Sequence, residues 1–170
     1  MSASESTRAA FEDYLAARRT ALLRTAYLLV GHGGDAEDLV QSALVKALPH
    51  WSRIAADPEP YVRTVLARES IDRWRRRRWR EIATDPTTRA HDTGAAPAED
   101  LDRRAVVMAA LGRLSPRQRA VIVLRYYEDL TEAQTAQVLG LRLGTVKSHT
   151  RDALDRLRTL LPDEDLALRG

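Results

Sequence analysis

The chain of 170 residues can hold one large domain or two small helical ones; 44% hydrophobic and 30% charged residues give it material for real cores and exclude a wholly disordered chain. It has no cysteine, which excludes disulfides, iron–sulfur clusters and thiolate zinc sites. Net charge is only +3, but all but two of its 27 lysine and arginine residues are arginine, the exceptions being Lys46 and Lys147, so local clusters of basic charge matter more than the total.

Glycines and β-branched runs are sparse, while Ala, Leu, Arg and Glu recur at spacings of three and four, which predicts an all-α fold. Met1 is followed by Ser, Ala, Glu and Thr rather than by a charged start and an apolar stretch, so no secretory signal is expected. Apolar runs such as Ala26 to Val30 are too short to cross a bilayer, and a cytoplasmic protein without membrane insertion is expected. His32, His50, His91 and His149 fall in separate segments with no helical pairing to Asp or Glu, so neither a metal nor another cofactor is expected.

Residues from about Thr7 to Arg80 read as one run of amphipathic helices, with turn signals at Gly31-His32-Gly33-Gly34 and at Asp57-Pro58-Glu59-Pro60. Between Asp35 and Leu48 the set Ala36, Leu39, Val40, Ala43, Leu44, Ala47 and Leu48 follows helical spacing, with Glu37, Asp38, Gln41 and Lys46 off the stripe. Asp35 and Asp38 also lie where the helix dipole favours negative charge, so stability alone could account for them.

Seven arginines lie between Arg68 and Arg80: Arg68, Arg73, Arg75, Arg76, Arg77, Arg78 and Arg80, interleaved with Trp74 and Trp79. Such density is self-repelling unless an anion is near, and DNA phosphate is the natural one. The tryptophans offer flat surfaces on which unpaired bases can stack, although Trp74 could equally be a core anchor.

A flexible linker is expected over residues 81–100, where large apolar side chains are nearly missing, and a second unit over residues 101–161, followed by a frayed polar tail from Asp163. That unit opens with a helix carrying Val106, Val107, Ala110, Leu111 and Leu114. Ser115 caps the next helix with Pro116 at its first position, and Val121, Ile122, Leu124 and Tyr127 read as core.

Thr131-Glu132-Ala133-Gln134 spells a capping box, so a helix starts at Thr131 and stops at Gly140. After a turn of about four residues, Val146, Thr150, Ala153, Leu154, Leu157 and Leu161 form an apolar stripe, while Lys147, Ser148, Arg151, Asp155 and Arg158 project outward. An ordinary solvated face is the bland reading of any one such helix. The capped short helix, the glycine turn and the basic N-terminal half together favour a helix-turn-helix whose second helix enters a major groove.

Gly34-Asp35-Ala36-Glu37-Asp38-Leu39-Val40-Gln41 resembles the region-two helix by which sigma factors grip the polymerase clamp. Tyr61-Val62-Arg63 through Ile71-Asp72-Arg73-Trp74-Arg75-Arg76 resembles the adjoining promoter-reading helix. Ser115-Pro116-Arg117-Gln118-Arg119 with Gly144-Thr145-Val146-Lys147-Ser148-His149 resembles region four. Order, linker and lack of an intervening region three all resemble the extracytoplasmic-function (group 4) sigma factors of the sigma-70 family, in particular the actinobacterial SigE-like kind.

The resemblance implies a non-enzymatic protein with no cofactor that directs promoter-specific transcription initiation. Residues 7–80 would be region two, reading and melting the −10 element, and residues 101–161 region four, reading the −35 element. Core RNA polymerase would be held at its beta-prime clamp by Glu37, Asp38 and Gln41 and at its beta flap by region four. DNA contacts would fall to Arg63, Arg68, Arg73, Arg75, Arg76, Arg77 and Arg78, and to Arg142, Thr145, Lys147, Ser148 and Arg151. The loop Ser52 to Asp57 would capture a flipped base, and an anti-sigma factor would control release. Arg142 stands where the family often has a serine cap, and Asp152 where a basic residue is common.

Two other classes remain open from residues alone. A dimeric operator-binding regulator would explain the C-terminal half but would have no need of Arg75 to Arg78. An enzyme would need a nucleophile–base pair, a phosphate-binding glycine loop or a metal cluster, and none is visible in the sequence.

Overall fold

A computed structural model describes residues 2–81 and 98–161, and every regular element among the described residues is helical, as the spacing predicts. Contacts divide the chain into two compact units, residues 1–70 and 71–170. The linker expected over 81–100 falls largely on 82–97, and the polar tail on 162–170; both segments lie outside the described residues.

In the first unit, α1 (Ala3–Val30) starts on a capping box, with the Ser2 hydroxyl accepting from the Glu5 amide and the Glu5 carboxylate from the Ser2 amide. It stops at Gly31, whose φ of 78° lies in the left-handed region that glycine adopts without strain. His32 caps α2 (Gly33–Ala47), so Gly33 and Gly34 belong to the first helical turn rather than to the connecting turn.

Ala36, Leu39, Val40, Ala43, Leu44 and Ala47 are buried, as their spacing requires, but Leu48 is exposed. Leu48 keeps α-helical backbone and donates to the Leu44 carbonyl, but it stands more than a quarter-turn from the centre of that stripe; Pro49 then has no amide to continue the ladder, and the chain tightens into a 3₁₀ turn over Leu48–His50. The short α3 (Trp51–Ile54) follows, its Trp51 fully enclosed with the Phe11 ring edge-on at 4.9 Å and Tyr14 at 5.2 Å.

Helix α4 (Glu59–Glu81), whose residues beyond Ser70 fall in the second unit, buries Val62, Leu66, Ala67, Glu69 and Ser70. Its first turn is tied to α1, where Glu59 accepts from Arg18 and from the Tyr14 hydroxyl. Glu69 is tied to Lys46 of α2 by an ion pair. Beyond Ser70 none of the described side chains of α4 is buried.

In the second unit, α5 (Ala98–Gly112) starts ahead of the expected Leu101. It buries Ala110 and Leu111, with Leu114 just beyond, but leaves Val106 exposed, because Val106 stands about a quarter-turn from the centre of that stripe. The capping box of Ser115 and Gln118 starts α6 (Pro116–Ile122), with amide–side-chain distances of 3.1 and 3.2 Å.

A π-helical turn over Val123–Tyr127 extends α6. Val121, Ile122, Val123 and Leu124 are buried there, whereas Tyr127, expected in the core, is exposed. The wider turn takes up an extra residue and shifts later positions off the α-helical stripe. Then come α7 (Glu132–Leu139) and α8 (Leu143–Leu160), packed through Val121, Ala136 and Val146 with Leu139 and Leu141 alongside.

Candidate nucleic-acid interface

The α7–α8 corner follows from local chemistry. Thr131 and Gln134 exchange their hydrogen bonds at 3.1 and 2.9 Å, which sets the start of α7. At its end Gly140 takes φ 63°, its amide reaches the Gln137 carbonyl at 3.4 Å, and the Leu141 amide reaches that of Ala136 at 3.0 Å. This pair of reversed bonds is a Schellman stop, and Leu141 adds the accompanying apolar contact.

Helix α8 starts at Leu143, with an extended Arg142 at the cap position and no side-chain cap bond. Val146, Thr150, Ala153, Leu157 and Leu161 are buried, with Leu154 half-buried, while Arg142, Lys147, Ser148 and Arg151 are exposed and Thr145 is half-buried. The Ser148 hydroxyl donates to the Gly144 carbonyl at 3.0 Å, so its lone pairs remain on offer outward. Lys147 stands 4.0 Å from Glu132 of α7, and Arg151 bonds Asp152 at 3.2 Å. Exposed pairs of this kind contribute about 0–1 kcal/mol, so an incoming phosphate can compete for both cations.

On α4, Arg68 and Arg75 to Arg78 are exposed, and Arg63 and Arg73 are half-buried. Arg75 bonds Asp72 at 3.0 Å and the Arg76 Nε reaches the Asp72 carbonyl at 3.4 Å. Trp74 is no core anchor: it is 45% exposed, on the part of the helix where no described side chain is buried, and the Arg78 guanidinium lies 5.4 Å from its ring centroid. Trp79 is 71% exposed.

The acidic candidates Glu37, Asp38 and Gln41 are all exposed on the face of α2 opposite its buried stripe. Beside Glu37 an open cleft of about 310 Å³ runs between α1 and α2, lined by Leu23, Tyr27 and Ala36 among others. Within the first unit α2 therefore carries the acidic edge and α4 the start of the basic one, and the Lys46–Glu69 pair joins the two helices.

Sequence reasoning passed over Trp51, the Arg18–Glu59–Tyr14 cluster and Lys46–Glu69. The signal for the last was present: Glu69 occupies the position that extends the Val62–Leu66 stripe. Among the described residues no group of His, Asp and Glu is placed to hold a metal ion, and no helix is long and apolar enough to cross a membrane.

Residues 14–80 match the model of Sigma-70 region 2, and residues 110–159 that of Sigma-70, region 4. The chain belongs to the sigma-70 family. This sigma factor is 39% identical to the RNA polymerase sigma-E factor of Streptomyces avermitilis, over 94% of this chain and 89% of that one. It is 33% identical to the ECF RNA polymerase sigma factor SigL of Mycobacterium tuberculosis, over 92% and 89%. Among solved structures it is similar to the sigma factor RpoE of Bartonella quintana, crystallised with the anti-sigma factor NepR, with a TM-score of 0.70, 28% identity, and coverage of 88% and 95%. The region 2 match spans the helices that carry the acidic edge and the arginine run, and the region 4 match spans the helix-turn-helix.

Proposed function

We propose that this sigma factor, a regulatory subunit with no catalytic activity of its own, works in the cytoplasm by joining core RNA polymerase and reading two promoter elements with two domains. Residues 7–80 form the domain that reads and melts the proximal element, residues 81–100 the linker, and residues 101–161 the domain that reads the distal one. Tethering raises the effective concentration of the second domain once the first has docked.

Glu37, Asp38 and Gln41 contact the beta-prime clamp, and the second domain docks on the beta flap. Arg63, Arg68, Arg73 and Arg75 to Arg78 neutralise phosphates along the proximal element, and Trp74 and Trp79 stack on its unpaired bases. Flipping a base costs a few kcal/mol, which the segment Ser52 to Asp57, the end of α3 and the turn after it, must return by enclosing it. Arg142, Thr145, Lys147, Ser148 and Arg151 read the distal element.

The observation that carries this reading is the exposure of the arginine run: Arg75, Arg76, Arg77 and Arg78 all reach solvent beside two exposed tryptophans. A dimeric operator binder would leave that surface without a task. Control by an anti-sigma factor is part of the proposal, supported by the relative crystallised with one. The test is co-elution with purified core polymerase: a stable complex is expected, weakened when Glu37, Asp38 and Gln41 are replaced together by alanine. Separate elution of the wild-type chain would refute the reading.

A further inference from the structure

Glu69 is the one acidic side chain buried among the described residues, at 6% exposure, and it sits next to the last buried position of α4. A leucine there would simply lengthen the stripe of Val62 and Leu66, so burial alone does not call for a charge. A carboxylate in such a place is unfavourable unless cations meet it, and Lys46, from the last turn of α2, does so with a side chain still 54% exposed.

An apolar contact tolerates sliding and rotation, whereas an ion pair between a buried and a half-exposed partner is satisfied over a narrow range of both. Its best-attested use is to fix register. The position matters. From Ile71 to Glu81 α4 runs on for about 16 Å with no buried side chain among those described, and it carries Arg73 and Arg75 to Arg78. A few degrees of rotation at Glu69 therefore redirects every one of those arginines. The other partner, Lys46, belongs to the same rigid helix as Glu37, Asp38 and Gln41.

We propose that Lys46 and Glu69 are positioning residues, whose ion pair fixes the rotation of α4 against α2 so that the arginine run meets the proximal element while α2 holds the polymerase. This rests on the assignment of α2 and α4 under Proposed function. Loss of the pair impairs promoter opening more than polymerase binding.

The test uses holoenzyme reconstituted from core polymerase and the full chain, on a promoter fragment selected with the wild-type holoenzyme. Affinity for core polymerase and the fraction of promoter opened, read by permanganate reactivity, are measured for wild type, Lys46→Met, Lys46→Arg and Glu69→Gln. Lys46→Met is expected to lower opening about tenfold, the scale of a modest misplacement of acting groups, with core affinity held within about twofold. Lys46→Arg, which keeps the charge, is expected to restore opening. Glu69→Gln repeats the test in a variant that keeps side-chain shape should Lys46→Met fail to fold. Wild-type opening in both charge-removing variants, or a parallel fall in affinity and opening, would overturn the proposal. If the wild-type holoenzyme selected no promoter at all, the underlying assignment would fall with it.

Discussion

Arg18 grips Glu59 with two donors of its guanidinium, Nη2 donating to Oε1 at 2.6 Å and Nε to Oε2 at 3.2 Å, so that the first turn of α4 is locked to the middle of α1. The Tyr14 hydroxyl donates to the same carboxylate at 2.8 Å, while its ring packs on Trp51. Burial raises the Tyr14 hydroxyl's pKa, and its bond to Glu59 raises it further.

For Glu59 burial acts upward, but the hydrogen bonds from Arg18 and Tyr14 and the charges of Arg18 and Arg63 outweigh it, leaving the carboxyl below its ordinary value of 4.5. The unfolded chain therefore takes up this proton at higher pH than the folded one. The resulting stability is complete above 4.5 and is lost as pH falls through the lower folded value. Glu59→Gln should cost about 1 kcal/mol near neutrality, given the pair's partial exposure. Urea unfolding should show that cost shrinking below pH 4.5; a cost that stays constant into acid would contradict the linkage.

The uncapped start of α8 supplies a second expectation. Arg142→Ser provides the missing acceptor and should raise stability by about 0.5–1 kcal/mol, seen as a higher thermal midpoint. The same change removes a cation, so binding to the distal element should weaken and its logarithmic salt slope should fall by about 1. Stability and binding moving in the same direction would mean that Arg142 is no phosphate contact.

Much of this was legible beforehand where the chemistry is local. The serine cap at Ser115, the capping box at Thr131 and the stop at Gly140 need only residues three or four apart, and all three stand where the sequence placed them. The buried stripes of α2 and α8 followed from periodicity. The misses have three causes. Leu48 and Val106 stand a quarter-turn or more from the centres of their stripes, and the π turn before Glu128 moved Tyr127 to the surface. Pairs joined only by tertiary folding, Arg18 with Glu59 and Lys46 with Glu69, could not be matched up because their partners lie far apart in the chain, even where Glu69 showed itself by extending an apolar stripe.

The tryptophans separate core from surface. Trp51→Ala should cost about 3–5 kcal/mol, since its neighbours Phe11 and Tyr14 cannot fill the space. Trp79→Ala should change stability by less than about 0.5 kcal/mol, yet weaken holoenzyme binding to single-stranded proximal-element DNA by about 1–3 kcal/mol if a base stacks there. Unchanged binding would leave Trp79 without a role in melted DNA.

Replacing Arg75 to Arg78 with alanine should weaken promoter binding across sequences and reduce the salt slope by about 0.9 for each phosphate that is no longer neutralised. Lys147→Ala or Arg151→Ala should act mainly on the distal element, by about 1–3 kcal/mol. A four-arginine variant with full affinity and the original slope would contradict the assignment of these side chains to phosphates.

Run-off transcription tests the central claim most directly. Purified core polymerase, this chain and a fragment library from its own genome, with no other sigma factor added, should yield discrete transcripts that disappear when the chain is left out. Transcripts appearing only when a second sigma factor is supplied would show that this chain regulates initiation from outside rather than directing it.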